Sequence, residues 1–175
     1  MNLVLLGGNS SENEPWIREV EKNLQPYFDS THVFTYSHWK TGEMLIDINL
    51  EITRIEKYVK NLGTYIIFAK SAGCLVVSKA IKERVINPKK CIFVGVPLDW
   101  AKLNSFDAPN WLSGNNTPTL IIQHTNDPFA TSSQVKLLLD TLNIENTRLK
   151  EIPGNDHTYN EIDSLTNLIV SFVGK

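Results

Sequence analysis

Five short apolar runs, each followed by a longer amphipathic stretch, constrain this chain more than any other feature of its sequence. The runs span residues 3–6, 33–36, 65–69, 91–96 and 119–123. A strand with one face in water alternates polar and apolar residues, whereas a strand covered on both faces reads as an unbroken apolar run. Strands of the second kind belong to parallel sheets, and parallel neighbours need a long crossover, usually a helix. A sixth run, Thr147–Ile152, alternates polar and apolar side chains and suits an edge position.

The stretches between the runs carry helical signals. Ile48, Ile52, Ile55, Val59 and Leu62 recur at helical spacing, and Gly63 follows as a stop. Ile17, Val20 and Leu24 follow Pro15, a good first-turn residue. Val135, Leu138, Leu139 and Leu142 follow Thr131-Ser132-Ser133, which can cap. Ile162, Leu165, Ile169 and Phe172 mark the last helix, and residues 71–86 form another with small residues at its start. The predicted architecture is α/β: one three-layer, doubly wound domain over residues 1–175, with a mostly parallel six-stranded sheet. A chain of 175 residues can bury about 70% of its extended surface, so the core needs no staples. Residues 98–118, with Pro97 just before them and with Trp100, Trp111, Pro109, Gly114 and Pro118, read as one long irregular segment, either a lid or a plain surface excursion.

Charge and cysteine content exclude several roles. Seventeen basic and nineteen acidic residues leave a net charge of −2 with no basic stripe, which argues against nucleic acid or an anionic membrane as partner. Two cysteines are too few for a disulfide scaffold or a cysteine-built zinc site. The opening Met1-Asn2-Leu3-Val4-Leu5-Leu6-Gly7-Gly8 lacks the basic segment of a signal peptide, and no apolar stretch reaches the roughly 18 residues of a membrane helix. A cytoplasmic protein with reduced thiols is expected.

In open α/β sheets ligands sit at the carboxyl ends of the strands, so the residues just after each run carry the functional question. After the third run comes Ala69-Lys70-Ser71-Ala72-Gly73, then a helix. Small neighbours permit the tight strand-to-helix turn that exposes a serine hydroxyl, and a helix start offers free N–H groups to developing negative charge. Ser71 is thus a candidate nucleophile and the N–H of Ala72 a candidate oxyanion donor; the bland alternative is a simple helix cap. Asp127 follows the fifth run in His124-Thr125-Asn126-Asp127-Pro128, and His157 follows the sixth in Gly154-Asn155-Asp156-His157. A serine needs a base, and the base needs an anion to fix its tautomer. The chain order Ser71, Asp127, His157 is the one α/β-hydrolases use. Asp99, after the fourth run, is the rival acid. It is expected one strand further from His157, because consecutive elements tend to be neighbours. His124, His32 and His38 are read as structural. A second oxyanion donor is expected in the first strand's loop, Gly7-Gly8-Asn9, from Asn9 or Gly8. Neither G-x-G-x-x-G nor the P-loop pattern fits this loop, which opposes a nucleotide-binding domain.

These four segments together resemble the small serine hydrolases of the α/β-hydrolase superfamily, of the RBBP9-like and YdeN-like minimal type. The resemblance runs from the first strand to the last helix. It departs in three places: Ala69 replaces the first elbow glycine, Thr125 stands where that family has glycine, and Gly-Gly-Asn stands where His-Gly is common. Two strands that usually precede the oxyanion strand are missing from the pattern. What it implies is a fold without a large cap, no metal or organic cofactor, and cleavage of a small carboxylic ester or thioester through an acyl-enzyme on Ser71. Trp39, Met44, Trp100 and Trp111 are candidates for an acyl pocket, although for each of them core packing is the leading single role. The alternative is a degenerate hydrolase-like domain that binds a ligand or protein partner without turnover. The oligomeric state stays open.

Overall fold

A computed structural model describes residues 1–174. In chain order the elements are β1 (Asn2–Leu6), α1 (Asn13–Leu24), β2 (Ser30–Phe34), α2 (His38–Thr41), α3 (Ile48–Val59), β3 (Tyr65–Lys70), α4 (Ala72–Lys82), β4 (Cys91–Val94), α5 (Leu98–Leu103), α6 (Ala108–Leu112), β5 (Thr119–His124), α7 (Ser132–Thr141), β6 (Thr147–Ile152) and α8 (Ile162–Val173). The strands form one six-stranded sheet in the order β2-β1-β3-β4-β5-β6. Every neighbouring pair is parallel.

The unbroken apolar runs are explained by two cores, one on each face. In β3, Tyr65, Ile67 and Ala69 point into a core completed by α3, α4 and α7. The alternate residues Ile66 and Phe68 point into a second core completed by α1 and α8. Each fully buried Leu, Ile or Phe contributes about 1.5–3 kcal/mol relative to leaving it in water. The polar alternation of β6 fits its place at one edge, beyond β5. Among the described residues no helix is long and apolar enough to cross a membrane.

Two expectations need correction. The second strand spans Ser30–Phe34 rather than 33–36, pairing Asn2 with Ser30 and Leu6 with Phe34. At the sheet edge Ser30, Thr31 and His32 need no apolar cover, and Tyr36 leaves the strand to bury its ring and donate to the Gly7 carbonyl at 2.9 Å. Residues 98–118 are not one irregular segment, because they hold α5 and α6. Pro97 sits just before α5 and Pro109 in the first turn of α6, where a missing N–H costs nothing. Asp107 caps α6 by accepting from the Asn110 N–H.

Candidate active site

The turn from β3 into α4 sets the geometry. Ser71 has φ 52° and ψ −122°, a conformation that L residues avoid and that costs about 1–3 kcal/mol. Its N–H is held by the Val94 carbonyl at 3.0 Å, and its own carbonyl accepts from the Cys74 N–H at 2.8 Å. These bonds tie the corner to β4 on one side and to the helix on the other. Gly73 is required because α4 starts against the end of β1: a Cβ there would lie 2.7 Å from the Gly7 carbonyl oxygen. Ala69 lies within β3 in ordinary strand geometry with its methyl in the core, so the first elbow position tolerates a Cβ.

Three strand ends converge on Ser71. The Ser71 Oγ lies 2.8 Å from His157 Nε2, and His157 Nδ1 lies 2.8 Å from Asp127 Oδ2. A carboxylate only accepts, so Nδ1 carries the proton and Nε2 is free to accept from the serine hydroxyl. Asp127 is 2% exposed and saturated with donors. Its Oδ2 also accepts from the Tyr159 hydroxyl at 2.6 Å, and its Oδ1 accepts from the Phe129 N–H at 2.8 Å. Burial pushes its pKa up, but the bonds from His157, Tyr159 and Phe129 outweigh this and hold the carboxyl below its ordinary value. Gly95, at φ 64°, leaves room for the imidazole, since a Cβ there would lie 2.9 Å from His157 Cε1. Phe129 packs edge-on against that ring at 4.6 Å.

The loop after β1 is pinned on all sides. The Asn9 carbonyl accepts from His38 Nε2 at 2.6 Å and from Trp39 Nε1 at 2.9 Å. The Asn9 side chain accepts from the Ile46 N–H and donates to the Met44 carbonyl. Ala72 opens α4, and a first-turn N–H has no partner within its own helix.

Ser71 and His157 open on a cavity of about 500 Å³, which Asn9, Trp16, Lys70 and Trp100 also line. Of the four candidate pocket residues only Trp100 reaches it. Trp39 instead braces the Asn9 loop, Met44 is 93% exposed, and Trp111 packs against Phe106. Trp16, Phe129 and Lys70 line the cavity unforeseen. Lys70 is 5% exposed. Burial lowers its pKa from 10.5 to about 8, against the opposing pull of the Asp127 and Asp156 carboxylates. A larger, open depression of about 820 Å³ lies at the amino ends of β4 and β5 and touches none of these groups. Asp99 lies in the first turn of α5, its N–H bound to the Phe129 carbonyl, and it lines a separate depression with Lys102 and Phe106. His124 is buried and stacks on Tyr159 at 4.0 Å. Both cysteines are buried, and burial pushes their thiols far up, so neither is a ready nucleophile. Among the described residues no three His, Cys, Asp or Glu side chains gather to hold a metal ion.

Solved structures with this architecture cover nearly the whole chain. A protein assigned to the α/β-hydrolase superfamily from Xanthomonas campestris aligns over 99% of this chain and 98% of its own, at 11% identity and a TM-score of 0.77. The chain has the α/β-hydrolase fold. Mouse alpha/beta hydrolase domain-containing protein 10 shares that fold over 99% of this chain and 89% of its own, at 13% identity and a TM-score of 0.76. Est1E from Butyrivibrio proteoclasticus, solved with ferulic acid bound, does so over 99% and 90%, at 15% identity and a TM-score of 0.72. A family model described as PhoPQ-activated pathogenicity-related protein matches residues 100–175. No curated protein sequence matches significantly.

Proposed function

We propose that this protein is a serine hydrolase that cleaves a small carboxylic ester or thioester through an acyl-enzyme on Ser71. The observation that carries this reading is the unbroken hydrogen-bonded chain from Ser71 Oγ through His157 to Asp127, opening on a cavity at a strained strand-to-helix corner. In this reading Ser71 Oγ attacks the substrate carbonyl as His157 Nε2 takes its proton. The N–H groups of Ala72 and Asn9, or Gly8, stabilise the oxyanion, each worth about 2.7–4 kcal/mol in the transition state. His157 then passes the proton to the departing alcohol or thiol. A water activated by the same imidazole releases the acid. Asp127 holds the imidazole in the required tautomer and stabilises its charged form. The structural neighbours named as hydrolases support the same class of chemistry.

A fluorophosphonate probe tests the reading. It should add one phosphonyl mass to the wild-type protein and none to Ser71→Ala. An unlabelled wild type would favour the alternative of a binding domain without turnover, and equal labelling of Ser71→Ala would move the nucleophile elsewhere.

A further inference from the structure

The cavity beside Ser71 holds a buried cation that the proposed chemistry does not use. Lys70 ends β3, is 5% exposed and lines the cavity next to the candidate nucleophile. Its ammonium donates to Asn13 Oδ1 at 2.9 Å and lies 5.0 Å from the Trp16 ring centroid. Neither partner is charged. Among the described residues Lys70 forms no ion pair, and Asp127 and Asp156 act on it only through space.

A buried ammonium without an anionic partner is costly, and an apolar side chain of similar length would fill the place with less penalty. An ammonium also has three donors, and one is committed to Asn13. The free donors and the missing counter-charge both suit an anion arriving in the cavity. The walls add a shape: Trp16, Trp100 and Phe129 present flat apolar surface around the same space. Glu12 also borders the cavity, but it is exposed, so water and salt screen its opposing charge.

We propose that Lys70 is a specificity-determining residue that selects esters bearing a carboxylate, binding that anion against the aromatic walls. The proposal rests on the reading of Ser71 as the nucleophile. The substrate class is an aryl-sized ester with one free carboxylate, on either its acyl or its alcohol part.

Two matched ester pairs test it. Mono(4-nitrophenyl) terephthalate against its neutral methyl ester places the carboxylate on the acyl side. 4-Acetoxybenzoate against methyl 4-acetoxybenzoate places it on the leaving group. The readout is the ratio of kcat/KM for the anion to that for its neutral twin. A charge-assisted hydrogen bond in a desolvated site predicts a ratio of about ten or more in one pair. That ratio should fall about ten-fold or more in both Lys70→Met and Lys70→Gln, with circular dichroism verifying their fold. A wild-type ratio near or below one in both pairs, or an unchanged ratio in the variants, overturns the proposal. Calorimetric titration of terephthalate into Ser71→Ala judges the carboxylate site without turnover. Binding that disappears in Ser71→Ala/Lys70→Met supports it, and no binding to Ser71→Ala overturns it. Hydrolysis by Ser71→Ala at the wild-type rate would instead sink the assignment of the nucleophile, a separate outcome.

Discussion

Replacing Tyr159 with phenylalanine removes one oxygen from the structure and breaks two bonds at once. The Tyr159 hydroxyl donates to Asp127 Oδ2 at 2.6 Å and accepts from the His124 N–H at 3.0 Å. The ring is 0% exposed, so no bulk water takes the hydroxyl's place. Burial, then the Asp127 carboxylate, push the phenol's pKa far above its ordinary value, so it stays a donor throughout the neutral range. A hydrogen bond to a charged group is worth about 1.5–3 kcal/mol, and an orphaned buried N–H costs about 1–3 kcal/mol. The two together predict a loss of about 2.5–6 kcal/mol in Tyr159→Phe. Both residues share the same positive-φ backbone at this site, φ 60°, so strain cancels from the comparison. Urea unfolding at pH 7 with matched m-values measures the loss. A difference below about 1 kcal/mol would refute the claim that these two bonds are made in the native state. Turnover should suffer less than in Asp127→Asn, because His157 Nδ1 keeps its own bond to the carboxylate.

Asp127→Asn should lower kcat by up to about 10⁴-fold by allowing the wrong imidazole tautomer. Asp99→Asn, whose carboxylate faces a different depression, should change kcat little; ester hydrolysis by the two folded variants decides, and the reverse ranking would reassign the acid. Lys70 predicts a pH effect on stability. Its folded pKa of about 8 lies below the ordinary 10.5, so between these values the unfolded chain binds more protons. Wild-type stability should therefore rise with pH across that window, by up to about 3 kcal/mol relative to Lys70→Met, and parallel urea midpoints at pH 7.5 and 10.5 would contradict the assignment. Gly73→Ala sets a Cβ 2.7 Å from the Gly7 carbonyl oxygen and 2.9 Å from the Tyr36 hydroxyl, and should destabilise by about 1–3 kcal/mol in a thermal melt.

The layering of the fold was legible because burial on both faces leaves a local mark. Ile66-Ile67-Phe68 must be apolar at consecutive positions when alternate side chains enter different cores, and Thr147–Ile152 must alternate when it closes an edge. The corner at Ser71 was legible for a similar reason, since small neighbours are a steric demand of the turn itself. Local signals misled where a residue's partner is distant. Pro97 and Pro109 read as loop residues, yet they mark helix starts, because proline costs nothing in a first turn.

By itself, then, the sequence determined the alternation of strand and helix, the parallel sheet, and which loops emerge at its carboxyl edge. These follow from hydrophobic period and from turn sterics, which are properties of neighbouring residues. Tertiary structure alone decided which groups meet across that edge. Trp39, a pocket candidate by sequence, braces the Asn9 carbonyl instead, while Trp16 from α1 and Phe129 from the loop after β5 line the cavity. Tyr159 reached back to the Asp127 carboxylate, a pairing across 32 positions. Lys70 has the composition of any surface lysine, and only its place at the buried end of β3, between Asn13 and Trp16, removes it from water. Contacts of this kind depend on how strands are ordered and how loops converge in space, and no local pattern of residues encodes that distance.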